Sequence, residues 1–267
     1  MADTPATNDI DLRTRNIVQL GDVNRRIQSV VFENRKYWIK RYSVERTAIG
    51  RFGHKLLSFI VREPIFKPSP LYTPQQALDA EVAKLQSFSN AGFSTVELVG
   101  TDGQAFVTKD AGLDLENTIR QDAEGNLSKD EILCQWAALF GRIHTAGLCH
   151  GRPHIRDSIY VNGDWVLLDF EEHPEAVMPL ETAQARDLIL VFMQLVKTIN
   201  NTSKLDQAMD RYKEQAPAIV VSEARKIIKD AKPFISLLAF LVRVAPHKDT
   251  KRLLLATRFL QQNLESQ

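Results

Sequence analysis

The chemistry-bearing side chains are densest in His150-Gly151-Arg152-Pro153-His154-Ile155-Arg156-Asp157 and, shortly after it, in Asp169-Phe170-Glu171. Asp157 and Asp169 stand twelve positions apart. Between them lie Ile159-Tyr160-Val161 and Trp165-Val166-Leu167-Leu168 about Asn162-Gly163-Asp164. Asn-Gly between apolar runs is the strongest short signal for a β-hairpin. An antiparallel hairpin brings its ends together, so the two carboxylates are expected side by side. Paired hard oxygens there suit a Mg²⁺ ion carrying phosphates. The bland alternative is a hairpin with two solvated polar ends.

The elements around this constellation follow from periodicity. Residues 1–20 read as a loose arm. Alternation from Arg26 to Phe32, a polar turn at Glu33-Asn34-Arg35-Lys36, and Tyr37 to Tyr42 predict an antiparallel hairpin. Ile49, Phe52, Leu56, Leu57 and Ile60 recur at helical spacing among Arg46, Arg51, Lys55 and Arg62. Prolines at 64, 68, 70 and 74 then make a loop. A helix is expected from 75 to 90, ended by Gly92, then strands at 96–99 and 104–108 about a Thr101-Asp102-Gly103 turn. Beyond Asp110 the chain turns mainly helical. Helices are expected at 113–121 and at 129–145, the latter with Ser128 and Glu131 as a capping box, and again from 180 to 264. The expected domains are an arm over 1–20, a β-rich N-terminal part over 21–109 with a basic helical insertion at 43–63, and a helical part over 110–267.

Composition narrows the function classes. The 267 residues are 44% apolar and 25% charged, ordinary for a globular protein. Thirty-four basic against thirty-three acidic residues leave +1, so no global basic footprint for nucleic acid exists. Cys134 and Cys149 are too few for a disulfide framework or a four-cysteine zinc site and read as buried thiols. His54 and His173 lack ligand spacing and read as structural. The N-terminus carries no basic segment followed by an apolar run. The apolar stretch at 234–242 falls far short of the ~20 residues of a membrane span. A cytoplasmic protein is expected. The basic amphipathic stretch at 46–63 fits peripheral contact with an anionic membrane, or else a helix packed on the N-terminal part with a solvated charged face.

The order of these features resembles the protein-kinase-like phosphotransferase fold: α+β, two-lobed, with a small β-rich N-lobe and a larger helical C-lobe. His150-Gly151-x-x-His154-x-x-Asp157 is similar to the catalytic loop of small-molecule and lipid-sugar kinases, and Asp169-Phe170-Glu171 to their metal motif. Lys40, in Tyr37-Trp38-Ile39-Lys40, looks like the strand lysine of such kinases, and Glu81 like its helix partner. Asp187, in Ala185-Arg186-Asp187-Leu188, looks like the aspartate that holds the catalytic loop. Within the fold, the bacterial lipopolysaccharide kinases of Kdo and core heptose are the most similar family. The resemblance runs from about Arg26 to Lys197. It implies ATP and Mg²⁺ as cofactors. Lys40, Glu81, Lys109 and Asp110 would serve the nucleotide, Asp157 and Asp169 the metal, and Asp157, Arg152 and Asp169 catalysis. The implied reaction moves the γ-phosphate of ATP to a hydroxyl of a cell-envelope sugar or lipid, such as the lipopolysaccharide core. The alternative acceptor is a protein Ser/Thr.

Two departures bear on that implication. The family carries an aspartate where this chain has Arg152, and a guanidinium stays protonated and cannot act as a base. The family's asparagine is Asp157 here, which still offers an oxygen to metal. The glycine-rich phosphate loop is also poor, with Gly21 alone near the first strand and Arg25-Arg26 in the turn. A pseudokinase, binding nucleotide as a scaffold or regulator, is therefore the alternative from another class.

Overall fold

Strand β2, Arg35–Arg41, shows why the sheet lobe forms as it does. Successive side chains of a strand point to opposite faces. Tyr37 and Ile39 are buried on one face, while Lys40 is buried on the other. Strand β1, Ile27–Phe32, pairs antiparallel with β2, Ile27 opposite Lys40. On its other edge β2 pairs with β4, Ala105–Lys109, and β4 in turn with β3, Leu98–Asp102. The sheet order is β1-β2-β4-β3. The structure, a computed structural model, describes residues 7–43, 70–122, 128–230 and 248–265. The basic segment 43–63, including Arg51 and Lys55, lies outside the described residues but for its first position.

The loose arm expected over 1–20 is, from Thr7 to Gln19, the helix α1. Ile17 and Val18 pack with Tyr37, Ile39, Ala105 and Val107 in one apolar cluster. The buried Arg41 side chain donates from Nη2 to the Val18 carbonyl at 2.8 Å. A guanidinium at the carbonyl end of a helix satisfies orphan acceptors and suits the helix dipole. Helix α2, Pro74–Asn90, opens with a complete capping box between Thr73 and Gln76 and with Pro74 in its first turn. It buries Leu78, Glu81, Leu85 and Phe88, one stripe at spacings of three and four. Strand β3 begins two residues later than expected and runs to Asp102, because the turn sits on Gly103, whose φ is +55°.

Strands β5, Ser158–Val161, and β6, Asp164–Leu167, form the expected hairpin. Asn162 and Gly163 both have positive φ, 53° and 88°, as a two-residue turn matched to strand twist requires. Although it falls within the sequence range expected for the helical part, this hairpin groups with the sheet. The Leu167 amide donates to the Ser94 carbonyl at 2.9 Å, and Thr95 bridges Leu167 in parallel. The described residues of the first compact unit fall within 7–43, 71–114 and 157–171.

The second compact unit is helical. It holds α3, Leu115–Gln121, α4, Lys129–Thr145, α5, Leu180–Thr198, α6, Thr202–Gln215, α7, Ala218–Asp230, and α8, Lys248–Glu265. Trp136, Phe140, Phe192 and Tyr212 are fully buried in its core. Arg211 of α6 fastens to Glu131 of α4 through two hydrogen bonds of 2.5 and 3.1 Å. The expected cap on α4 is corrected: Ser128 makes no side-chain cap bond. Glu131 is instead committed to Arg211. Cys134 and Cys149 are buried and take part in no disulfide among the described residues.

Candidate active site

In the sheet lobe, Lys40 stands on the face of β2 opposite to α1. Its ammonium donates to both carboxylate oxygens of Glu81, at 2.8 and 2.9 Å. It also reaches Asp169 Oδ1 at 2.8 Å and Glu171 Oε1 at 2.6 Å. Lys40 is 8% exposed and Glu81 2%, so little water screens these charges. Tyr42 donates its hydroxyl to Glu81, and Arg26 pairs with Glu171. Glu81 sits on the apolar stripe of α2, which is why its carboxylate is aimed inward. The adjoining Phe88 packs on Phe170 with ring centroids 4.6 Å apart, seating the Asp169-Phe170-Glu171 segment against the helix.

The charge balance of this cluster is uneven: Lys40 and Arg26 face Glu81, Asp169 and Glu171. Burial, opposed by the Lys40 charge and assisted by the Asp169 charge, holds the Glu81 carboxyl above its ordinary range. The surplus negative charge is relieved by a proton on Glu81 or by an added cation. Oxygens of Glu81, Asp169 and Glu171 lie within 4.8 Å of one another, close enough to share one ion. Three hard carboxylate donors fit Mg²⁺ chemically. Asp169 has φ of +58°, a left-handed backbone costing an L residue roughly 1–3 kcal/mol. Such strain persists only where the surroundings over-determine it.

In the helical unit, Asp187 of α5 is fully buried and accepts from the main chain of the candidate loop. His150 N lies 2.6 Å from Oδ2, and Gly151 N 2.9 Å from Oδ1. Gly151 has φ of +99°, and a Cβ there would collide with the Glu172 carbonyl. His144 Nδ1 is 2.7 Å from the Tyr212 hydroxyl, and its Nε2 is 3.7 Å from Asp187. Gln184 Nε2 donates to the His144 and Leu148 carbonyls, both at 2.9 Å. Burial, with Arg156 next, lowers the His154 pKa to about 4, so its ring is neutral at physiological pH. His154 Nδ1 accepts from the Arg156 amide at 3.1 Å.

Lys40, Glu81 and Asp169 are thus brought together. The Asp157 carbonyl accepts from the Leu168 amide at 2.9 Å, which ties the two ends of the hairpin. The Asp157 carboxylate is not a member of the three-carboxylate group. Arg152 is exposed on the loop that Asp187 anchors. Lys109 pairs with Glu97 at 2.5 Å, while Asp110 accepts from Lys36 at 3.0 Å and from the Trp38 indole at 2.6 Å. Glu171, read from the sequence only as the third letter of a motif, is a direct partner of Lys40. Tyr42 and Arg26 complete the shell. A glutamate on the buried stripe of α2 and a carboxylate two residues after Asp169 were the available signals.

No protein-family model matches the chain, and no curated protein does either. Among solved structures, it is similar to WaaP in complex with acyl carrier protein, at 16% identity and a TM-score of 0.50, over 90% of this chain and 92% of that one. A second likeness is to the Rio2 kinase-ADP/Mg²⁺-phosphoaspartate complex from Chaetomium thermophilum. It covers 100% of this chain and 81% of that one at 15% identity, with a TM-score of 0.39, below what supports an argument. The match to WaaP, together with a small antiparallel-sheet lobe and a helical lobe, establishes that this chain has a protein-kinase-like fold.

Proposed function

We propose that this protein is an ATP- and Mg²⁺-dependent phosphotransferase whose acceptor is a hydroxyl on a cell-envelope sugar or lipid. The observation that carries the reading is the buried junction of Lys40, Glu81 and Asp169, which joins strand, helix and post-hairpin segment on one ammonium. Phosphoryl transfer is mostly positioning and charge neutralisation. Lys40, oriented by Glu81, would hold phosphates of the nucleotide as a point charge. Asp169, with Asp157 and Glu171 as further oxygen donors, would hold Mg²⁺, which supplies charge neutralisation at the phosphates. Asp187 fixes the backbone of the loop that presents Arg152. The acceptor class rests on the resemblance of the loop and strand motifs to lipopolysaccharide kinases and on the likeness to WaaP, a lipopolysaccharide core heptose kinase.

Arg152 favours a second reading, a nucleotide-binding scaffold without turnover. General acid–base help is worth ~10²–10⁴-fold, so a missing base slows a reaction dominated by electrostatics without abolishing it. The discriminating experiment measures Mg·ATP binding by calorimetry and radiolabel transfer from γ-labelled ATP to an envelope extract, in wild type and Asp169→Asn. Binding with transfer above the variant is expected. Binding without transfer to any acceptor establishes the scaffold, and no ATP binding with or without Mg²⁺ refutes both readings.

A further inference from the structure

The helical unit contains a cavity of about 300 Å³ walled by α3, the start of α4, the end of α5 and Ile155 of the candidate catalytic loop. Its charge is one-sided. Arg120, Lys129 and Lys197 line it against a single carboxylate, Glu116. Glu116 is already shared between Lys197, at 3.5 Å, and Arg156, at 3.6 Å. Arg120 donates to the Asn117 side chain, and among the described residues neither Arg120 nor Lys129 has a carboxylate partner. The same field is felt nearby. Arg156, Lys197 and Arg152 all act to keep His154 neutral, after the larger effect of its burial.

Three cations over one carboxylate leave two positive charges in a cavity at the small end of ligand-site volumes. A phosphate monoester carries about −1.5 to −2 charges at pH 7 and offers three acceptor oxygens. The charge therefore matches one phosphomonoester group, and the volume leaves room for the sugar that carries it. Ile155 lines the cavity and belongs to the loop that carries Arg152, so a ligand seated here shares a wall with that loop. We propose that this cavity binds a phosphate monoester carried by the acceptor, so that the acceptor is an already phosphorylated sugar. This rests on the phosphotransferase reading above and adds the feature by which the acceptor is recognised. Arg120 and Lys129 are the principal anion ligands, Lys197 contributes when Glu116 releases it, and Glu116 sets the affinity by competing with the ligand for the same cations.

The test titrates the full chain with glucose 6-phosphate by calorimetry at low salt and without nucleotide. Glucose and inorganic phosphate serve as the neutral and free-anion probes. Binding of glucose 6-phosphate is expected, with none detectable for glucose and at least tenfold weaker binding of inorganic phosphate. One charge-assisted contact is worth about a factor of ten. Arg120→Ala and Lys129→Ala should each weaken binding about tenfold, and Glu116→Gln should tighten it severalfold. All three side chains are at least partly exposed, so the variants fold. No binding of glucose 6-phosphate, or wild-type affinity retained in both alanine variants, overturns the site. Inorganic phosphate binding as tightly as the sugar phosphate also overturns the acceptor assignment, because the site then takes a free anion. The titration contains no nucleotide, so its failure leaves Mg·ATP binding at Lys40 standing. Loss of Mg·ATP binding alone refutes the phosphotransferase reading instead.

Discussion

Replacing Lys40 by Met removes the one ammonium shared by three carboxylates while keeping the stem's apolar volume. At 2.8 Å and an effective dielectric near 20, one such contact has a gross attraction of about 6 kcal/mol. Desolvation of the ions cancels much of it. Breaking a buried pair from one side typically costs about 3–5 kcal/mol, because the remaining charge is stranded. Glu81 is the stranded group here, at 2% exposure. Its folded carboxyl already titrates above the ordinary 4.5, through burial first. A raised carboxyl gives a stability contribution that is full below its unfolded pKa and lost as pH rises through the folded one. Lys40 opposes that rise, so in Lys40→Met the folded pKa climbs further. The penalty of the variant is therefore expected to be largest near pH 8, at about 3–5 kcal/mol, and to fall by more than half near pH 5, where Glu81 takes a proton. Urea unfolding followed by circular dichroism at the two pH values measures this. Lys40→Met/Glu81→Gln should cost less than the sum of the two single variants, since the stranded charge is gone. A penalty independent of pH, or strict additivity, refutes the claim that Lys40 offsets a buried Glu81 charge.

Three further outcomes are expected. Asp187→Ala strips the His150 and Gly151 amides of a charged acceptor and should cost about 2–4 kcal/mol; hydrogen exchange should then speed at those amides and not in α2. Gly151→Ala, facing the Glu172 carbonyl at positive φ, should cost about 2–3 kcal/mol in urea unfolding. The His154 ring should titrate by NMR with a midpoint of about 4, and Arg156→Ala should raise it. Because that folded pKa lies below the unfolded value of 6.5, the histidine's contribution to stability is present above 6.5 and lost as pH falls toward 4.

Features governed by short-range chemistry were legible from the residues alone. Asn162-Gly163 accepts the positive φ values of a two-residue turn, so the hairpin between Asp157 and Asp169 needed no tertiary information. The helix over 75–90 was legible, while its start at Pro74, expected in the loop, is set by the Thr73 and Gln76 capping bonds within one helical turn. The order of Lys40, Glu81, Asp157, Asp169 and Asp187 was legible as a motif series. Tertiary structure decided the rest. Helix α1 falls where an arm is expected because its polar sequence offers little signal alone. It is held by the apolar face of a sheet built from residues 27–41 and 98–109, and by Arg41 reaching its last carbonyls. Glu171 joined Lys40 only when the chain after the hairpin folded back on α2, a contact across 131 positions. The cation-lined cavity likewise draws Arg120, Lys129, Ile155 and Lys197 from four separate segments. Spacing along a chain encodes turns and helix faces, where neighbours are fixed by backbone geometry. A site assembled from distant segments is fixed by which buried faces must meet, and only packing decides that.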